Sequence, residues 1–373
     1  MKKKTLELLI GLLPLLIISC SNTYSNRSEK LKATVEKKAV DSTKIVSENN
    51  VKIEISSFSK ALKPIKYVLP SEDGVWNWGM APIYDEKGKL HVFVSIIPHN
   101  GNWVKNSKIA HFVADKAEGP YTFVEYSLYS DECTYHNPQV SKVGDTYVLV
   151  FLMNEYNEGG SYQEIGMATT KSLDKLWVEN PNNPIISAKG IMNGASIIHA
   201  SNPTFVVTPE GEYRIYFKSM TDDSKYREIS MATSNRLEGP YINYEKNPVI
   251  SYADKKVDLE DPYAFYYNGM YYMITEDRTG VVNLLEGSKV AAKKIKPGGN
   301  RPGLIYKSKD GIDWGTPQIS YLTNSDYFGE SLGRSERPNI LWKNGKPEYL
   351  FLACHDKYST AGYILKIINW EGE

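Results

Sequence analysis

The chain has 373 residues, in which 44 Lys and Arg balance 44 Asp and Glu, so the formal net charge is zero. A nucleic-acid partner requires a basic face, and this balance, without a long run of one charge sign in the folded part of the chain, argues against such a partner. Tyrosine is abundant, at 27 residues, and there are 7 Trp. Aromatic side chains at this density fill β-sheet cores and form stacking surfaces for ligand rings.

The N-terminal segment has the pattern of an export signal. Lysines at positions 2–4 precede an apolar stretch over residues 8–18, which is too short to cross a bilayer. The stretch ends in Ile-Ile-Ser-Cys, which resembles the bacterial lipoprotein box whose cysteine becomes the lipidated first residue. We predict a signal peptide over residues 1–20 and lipidation of Cys20. The chain would then reside at the bacterial cell envelope, on the outer membrane or periplasmic face, and touch the membrane only through this lipid. An ordinary secretory signal with an incidental cysteine is the alternative.

Residues 21–60 are predicted to form a flexible tether. Positions 21–50 are rich in Ser, Asn, Lys, Thr and Glu and have almost no large apolar residues, so they cannot bury enough surface to fold. Residues 61–373 are long enough for one large domain. Cys133 and Cys354 fall in different parts of this domain, and we expect two thiols rather than a disulfide framework.

One sequence phrase is repeated five times along the domain. Each copy has a proline at the start of an apolar strand, a glycine turn six to eight residues later, a second strand rich in aromatic residues, and a third strand. Repeats of this length indicate stacked supersecondary units, and five antiparallel sheets predict an all-β, five-bladed β-propeller. Turn punctuation in a β-sandwich is the alternative, but sandwiches do not repeat a whole phrase in register. The prolines are Pro82, Pro138, Pro203, Pro262 and Pro338, and the glycines are Gly88, Gly144, Gly211, Gly269 and Gly345.

Two departures from the repeat predict special segments. The fourth copy carries extra residues at roughly 280–300 between its second and third strands, which predicts a loop that narrows the pocket. Copy five ends after its third strand. We therefore expect the N-terminal piece, for example residues 51–55, to supply its outer strand and remove an exposed sheet edge.

The residues before each proline are predicted to point into one shared space, because the first strand of each blade lines the central channel of a propeller. The second strands end at the same face. The first set is Met80-Ala81, His136-Asn137, Ser201-Asn202, Glu260-Asp261 and Glu336-Arg337; the second is His99, Asn154-Glu155, Lys218, Glu276-Asp277-Arg278 and His355-Asp356. This dense set of carboxylates, imidazoles and guanidinium groups is what acid/base chemistry on a neutral polar substrate would use.

The repeated phrase, its X-Pro strand starts, the Glu-Gly-Pro-Tyr sequences at 118–121 and 238–241 and the lipoprotein signal resemble glycoside hydrolase family 43 and its relatives in families 32, 68 and 117. The resemblance covers about residues 65–373. It implies a β-xylosidase or α-L-arabinofuranosidase that releases a terminal sugar from oligosaccharides of plant or algal polysaccharides. It also implies an Asp base, a second Asp that tunes pKa values and a Glu acid. No cofactor is required, and the resemblance allows for a calcium ion in the central channel.

The family's carboxylates are missing from the expected positions. Ala81 and Asn137 stand at the first two slots, and Ser201-Asn202 stands at the third. We therefore predict a displaced catalytic set of Asp261, Glu260 and Glu336, with Asp261 as the base and Glu336 as the acid. Their structural alternatives are capping of a strand start and a local ion pair within blade five. No residues have the spacing of a structural zinc site, and no metal ligand is assigned.

The predicted substrate-binding residues surround these carboxyls. Arg337 would bind a substrate group or hold a neighbouring carboxylate ionised, and Trp78 would stack on a sugar. The histidines have a structural alternative as core polar groups. Lysines in the fourth-copy insertion would favour an anionic sugar. The binding residues are His136, Asn137, Asn202, Arg337, Glu276, Arg278, Trp78, Glu155 and His199, and the lysines are Lys289, Lys293, Lys294 and Lys296.

Two further functions stay open. A non-catalytic glycan-binding lipoprotein would explain the missing carboxylates of the first two blades, although buried acids elsewhere are costly unless they are used or paired. A glycosyltransferase or phosphorylase on the same fold would need a basic cluster for phosphate, for which Arg278, Arg334 and Arg337 are the candidates.

Overall fold

The computed structural model describes residues 53–69, 74–155, 162–192, 194–285, 301–355 and 360–372. The predicted signal peptide with Cys20, most of the predicted tether, the insertion lysines and Asp356 lie outside these residues. The described residues form five antiparallel sheets, which confirms the predicted five-bladed β-propeller. No helix among them is long and apolar enough to cross a membrane.

The strands of each blade are given in chain order, except that the first strand of the chain belongs to the last blade. Blade one contains β2 (Val75–Tyr84), β3 (Leu90–Pro98), β4 (Lys108–Ala114) and β5 (Thr122–Leu128). Blade two contains β6 (Cys133–Val143), β7 (Thr146–Glu155), β8 (Glu164–Thr170) and β9 (Val178–Glu179). Blade three contains β10 (Ile191–Met192), β11 (Ala195–Val207), β12 (Tyr213–Thr221), β13 (Glu228–Ser234) and β14 (Ile242–Asn243). Blade four contains β15 (Glu260–Tyr267), β16 (Met270–Glu276), β17 (Gly303–Ser308) and β18 (Gln318–Tyr321). Blade five contains β19 (Arg334–Lys343), β20 (Lys346–His355), β21 (Thr360–Ile367) and β1 (Leu62–Val68).

The inner strands of neighbouring blades contact one another in a closed order, β2, β6, β11, β15 and β19, with β19 returning to β2. The turn glycines of all five copies have positive φ, a conformation that glycine adopts without the steric cost of a Cβ. Short helices connect some strands. They are Ser57–Ala61, Trp103–Asn106, Val281–Leu285, Asn324–Phe328 and the 3-10 turn Ala253–Lys255.

The N-terminal piece closes the ring, but the closing strand is not the one predicted. Residues 62–68 form β1 and pair with β21, from Leu62 opposite Ile367 to Val68 opposite Gly362. The prediction of residues 51–55 was therefore wrong by about ten positions. Residues 53–58 pack instead on blade four, where Ser56 Oγ donates a 2.7 Å hydrogen bond to the carbonyl of Ile319.

Packed structure therefore begins earlier than the predicted domain start at residue 61. Ile53 is 7% exposed and Phe58 is fully buried, with its ring 5.0 Å from the ring of Trp370 in an edge contact. Burial of these apolar side chains attaches the segment to the propeller. The preceding polar stretch has almost no large apolar side chains that could be buried in this way.

Four inner strands contain a β-bulge at the residue before the repeated proline. The bulged residues are Asn137, Asn202, Asp261 and Arg337, with φ between 51° and 56°. In blade one the bulge falls between Trp78 and Met80, so Gly79, with φ of 66°, takes this position.

The prediction that Met80 and Ala81 face the channel was wrong. Met80 and Ala81 are 2% and 0% exposed and pack in the hydrophobic core. The bulge of blade one precedes its proline by three residues instead of one, and this moves the channel-facing pair to Trp78 and Gly79.

Cys133 and Cys354 lie buried in blades two and five, and no disulfide joins these two described residues. The fourth-copy insertion begins with the helix Val281–Leu285. Its remainder, residues 286–300, lies outside the described part of the chain, so its predicted effect on the pocket stays a prediction.

Candidate active site

The five bulged residues form a central ring, which consists of Gly79, Asn137, Asn202, Asp261 and Arg337. Asn137 Nδ2 donates to Asn202 Oδ1 at 2.8 Å, and Asn202 Nδ2 donates to Asp261 Oδ1 at 2.5 Å. The backbone N–H of Arg337 donates to Asp261 Oδ2 at 2.9 Å, and its Nη2 donates to the carbonyl of Asn137 at 3.3 Å. A Cβ on Gly79 would lie 3.4 Å from Asn137 Oδ1 and 3.5 Å from Arg337 Cγ. One polar residue or glycine from each blade thus closes the centre.

A cavity of about 390 Å³ lies above this ring. Its lining comes from all five blades, and it contains polar, charged and aromatic side chains. The lining residues that carry the argument are Trp76, Trp78, Trp103, His136, Gln163, His199, Lys218, Arg227, Glu260, Arg278, Arg334, Glu336 and His355, together with Asn137, Asn202, Asp261 and Arg337 of the ring.

Blade one and the adjoining ends of blades two and five supply an aromatic wall, formed by Trp76, Trp78, Trp103, His136 and His355. The ring of Trp103 lies 5.2 Å from that of His136 at an interplanar angle of 30°. Trp78 and Trp76 meet His355 edge to face at 6.2 and 6.5 Å. Broad aromatic faces beside polar groups suit a ligand with one apolar face and several hydroxyl groups.

Three cations surround Glu260, whose side chain is 10% exposed. Lys218 Nζ donates to Glu260 Oε1 at 3.3 Å, Arg227 Nε pairs with the same oxygen at 2.5 Å, and Arg278 Nη1 lies 3.5 Å from Oε2. Burial opposes ionisation of this carboxyl, but the three cations outweigh it and lower the pKa of Glu260 to about 2. Glu260 is therefore a carboxylate throughout the physiological pH range.

Glu336 has the opposite character although it also contacts cations. Arg334 Nε lies 2.8 Å from Glu336 Oε1, and Arg278 Nη1 lies 3.5 Å from the same oxygen. Burial and the negative charges of Asp261 and Glu260 outweigh these contacts and raise the pKa of Glu336 to about 7. A carboxyl poised near neutrality can donate a proton and recover it.

Glu276 lies behind Glu336 rather than in the cavity lining. Carboxylate oxygens of Asp261, Glu276 and Glu336 all lie within 4.8 Å of one another, and all three residues are buried. Burial, followed by the charges of the neighbouring acids, raises the pKa of Glu276 well above its usual range. Glu276 therefore holds its proton and limits the negative charge beside Glu336 and Asp261.

Two histidines line the cavity as neutral rings. Burial, with Arg337 and Lys218 nearby, lowers the pKa of His136 to about 3, and Ser107 Oγ lies 2.8 Å from its Nδ1. Burial, with Lys218 and Arg227 nearby, lowers the pKa of His199 to about 4. Both rings are able to exchange hydrogen bonds with a ligand without adding charge.

The structure brings most of the predicted site residues into this one cavity. Glu260, Asp261, Glu336 and seven of the nine predicted binding residues line it. Glu276 lies behind the lining, and Asp277 accepts hydrogen bonds from the amides of Gly280 and Val281, which start the following helix. Glu155 ends β7, and its side chain is outside what the structure describes.

Arg227 and Gln163 were missed by the sequence reasoning. The prediction covered only channel-facing residues of the first and second strands, whereas these two residues immediately precede third strands. A third strand starts at the face where the second one ends, because the two are antiparallel. That geometric rule could have identified both residues.

The acidic trio of Asp261, Glu276 and Glu336 offers the oxygen ligands that calcium prefers. However, Arg337 already contacts Asp261, and Arg278 and Arg334 contact Glu336. These guanidinium groups occupy the carboxylate oxygens and repel a further cation, so the trio fits calcium poorly. The acid/base roles considered below route no step through a metal.

No protein-family model matches the chain, and no curated protein matches it in sequence. Solved structures are similar in fold. Zg3597, a family 117 glycoside hydrolase of Zobellia galactanivorans, superposes with a TM-score of 0.58 at 12% identity, covering 86% of this chain and 93% of its own. A GH43_1 enzyme of Xanthomonas citri gives 0.53 at 10% identity, covering 80% and 90%. The arabinanase Arb43A of Bacillus subtilis gives 0.50 at 12% identity, covering 79% and 97%. These likenesses show a shared fold, as the sequence resemblance predicts.

Proposed function

We propose that the protein is a glycoside hydrolase that releases a terminal sugar from an oligosaccharide, with Glu336 as general acid. The observation that carries the proposal is the pairing of Glu336, whose pKa is about 7, with the ionised Glu260 and with Asp261 in one cavity beside an aromatic wall. In glycosidases, different environments give two neighbouring carboxyls different pKa values, so that one acts as the acid and the other as the base.

Asp261 is assigned as the general base that partners Glu336. It is 2% exposed, and it accepts hydrogen bonds from Asn202 and from the backbone of Arg337, which fix its orientation. Glu260 is assigned a positioning role, because it is held by three cations and a carboxyl with a pKa of about 2 is a weak base.

The fold neighbours support this class of reaction. One is the β-xylosidase RS223, and another is a β-xylosidase/α-arabinofuranosidase in complex with xylotriose. A third is an RGII complex of BT0996. An oligosaccharide with a terminal xylose or arabinofuranose is accordingly the first substrate to examine for this protein. A lipid anchor at Cys20, which would place the enzyme at the cell envelope, completes the proposal.

A glycan-binding protein without activity is the second candidate. It is favoured by the central ring, to which blades one and two contribute Gly79 and Asn137 and no carboxylate. The aromatic wall would serve either function, so only a measurement of bond cleavage separates them.

The test is hydrolysis of a panel of aryl glycosides and plant or algal oligosaccharides by the full chain. Glu336→Gln, Asp261→Asn and Glu260→Gln are measured beside it, with circular dichroism to verify folding. We expect release of one sugar, and losses of at least about 100-fold for the first two variants. Glycan binding without any release would replace the hydrolase proposal by the binding one.

A further inference from the structure

We infer that the substrate carries a carboxylate or sulfate group inside the cavity, bound by a cationic wall of Lys218, Arg227, Arg278 and Arg334. This inference rests on the proposed function and names its substrate class. It goes beyond a neutral pentose, because the acidic group belongs either to the released sugar or to the unit next to it.

The cavity lining has more cationic side chains than carboxylates. Among the described residues, the cationic wall and Arg337 face only three lining carboxylates, those of Glu260, Asp261 and Glu336. Asp258, outside the lining, also contacts Arg227 at 3.4 Å. A protonated Glu336 would increase the excess positive charge. Charge that is mostly removed from water is costly unless a counter-charge accompanies it, and an anionic substrate would provide one.

Several donors of the wall are left over after the internal ion pairs. Arg334 uses Nε for Glu336, and Arg227 uses Nε and Nη1 for Glu260 and Asp258. Among the described residues, the buried Nε of Arg278 has no hydrogen-bond partner, and its Nη1 lies 3.5 Å from a carboxylate oxygen of Glu260 and 3.5 Å from one of Glu336. Planar guanidinium groups with spare N–H groups match the oxygen spacing of carboxylate and sulfate.

Arg227 and Arg334 are also accessible. Each side chain is 29% exposed, whereas that of Lys218 is 8% exposed. The guanidinium of Arg334 lies 5.8 Å from the centre of the Trp78 ring, so it joins the cationic wall to the aromatic wall. Both residues line the cavity, so a ligand there can contact the Trp78 side chain and the Arg334 guanidinium together. An acidic sugar thus satisfies both walls at once.

The first test is binding to the full chain by titration calorimetry. The probes are uronic-acid oligosaccharides and the same oligosaccharides after reduction of their carboxyl groups, together with sulfated and desulfated pairs. We expect at least one acidic form to bind about tenfold or more tightly than its neutral counterpart, and the advantage to shrink as salt is added. Equal affinities within every pair, or no binding of any acidic form, would overturn the inference.

The second test uses matched variants. Arg227→Gln should bring the affinities for the acidic and neutral forms to within about twofold of each other. Arg236→Gln, in the exposed turn after β13, should leave both affinities unchanged. An acidic preference that survives in Arg227→Gln, Arg334→Gln and Lys218→Gln alike would contradict the assignment.

Inorganic phosphate is the competing source of an oxyanion. If the wall serves phosphorolysis, cleavage of neutral oligosaccharides will require added phosphate, and this result would overturn the inference. The two proposals also fail differently. Binding that requires the acidic group of the oligosaccharide, without any cleavage, would contradict the hydrolase proposal alone. Cleavage of neutral substrates, with no acidic form bound more tightly than its neutral counterpart, would end this inference alone.

Discussion

Arg337 holds Asp261 from two directions across the junction of blades four and five. Its backbone N–H donates to Asp261 Oδ2 at 2.9 Å, and its Nη1 lies 3.4 Å from Oδ1. Both residues have a left-handed backbone, with φ of 53° and 56°, which costs an L-residue roughly 1–2 kcal/mol. Strained backbone is typical of sites where function fixes a side-chain direction.

Replacing Arg337 by Asn should separate positioning from stability. Asn tolerates the left-handed backbone and retains the amide donor, but it loses the guanidinium contacts to Asp261 and Asn137. We expect kcat to fall about 10–100-fold while KM changes less than about threefold, because a misplaced carboxylate affects the transition state most. Steady-state kinetics and the thermal unfolding midpoint are the measurements. Unchanged kcat would show that the ring does not orient Asp261 for catalysis.

Replacing Arg334 by Gln should move the basic limb of the pH–activity profile. The positive charge of Arg334 lowers the pKa of Glu336, which burial and nearby acids raise to about 7. Without Arg334 this pKa rises further, so the acid stays protonated to higher pH and activity persists there. We expect kcat/KM to fall at a pH about 0.5–1 unit higher than in the parent. A shift to lower pH, or the same shift in Arg236→Gln, would contradict this account.

Replacing Phe58 by Ala should test how much the N-terminal piece contributes to ring closure. Phe58 is fully buried against Trp370, next to the strand that completes blade five. A large-to-small change at such a position costs about 3–5 kcal/mol of unfolding free energy. Phe123→Ala is the matched control, since Phe123 is 49% exposed and should change stability by about 0.5 kcal/mol or less. Equal effects in urea unfolding would mean that residues 53–58 do not stabilise the propeller.

Acid should destabilise the fold through buried histidines. His91 Nδ1 lies 2.8 Å from His111 Nε2 in the core of blade one, and burial lowers the pKa of both, that of His111 to about 4. The unfolded chain takes up protons near pH 6.5, so stability is full above that pH and declines as pH falls towards 4. We expect a loss of roughly 3 kcal/mol over this window from His111 alone, to which His136 and His199 add. Titration of the His111 ring near 6.5 by NMR would contradict it.

The repeat made the fold predictable because every blade restates the same proline, turn and strand pattern. The register of blade one was not predictable by that rule. The position of a bulge can differ between strands while the apolar alternation that follows the bulge stays the same. Only the structure shows that Gly79, and not Ala81, faces the channel. The closing strand was misplaced for a related reason. Residues 51–55 and 62–68 both contain short apolar segments, and tertiary packing decides which one pairs with β21.

The candidate site was predictable as a set of residues but not as a set of roles. Glu260 and Glu336 occupy the same position in adjacent blades, each directly before a bulged residue. Their pKa values nevertheless move in opposite directions, because three cations contact Glu260, whereas burial and the charges of Asp261 and Glu260 raise the pKa of Glu336. These contacts join residues that are distant in the sequence, such as Arg227 with Glu260. Strand spacing carries no information about them.

The most direct test compares the activity of the Glu336→Gln variant with that of the parent protein on substrates with different leaving groups. The substrates are aryl glycosides of the sugar identified by the panel, with phenols of decreasing pKa. General-acid assistance matters for a poor leaving group and hardly at all for dinitrophenolate. We predict a loss of about 100-fold or more for the poorest phenol, and a loss below about tenfold for dinitrophenol. A uniform loss across the series, or no loss at all, would show that Glu336 is not the general acid.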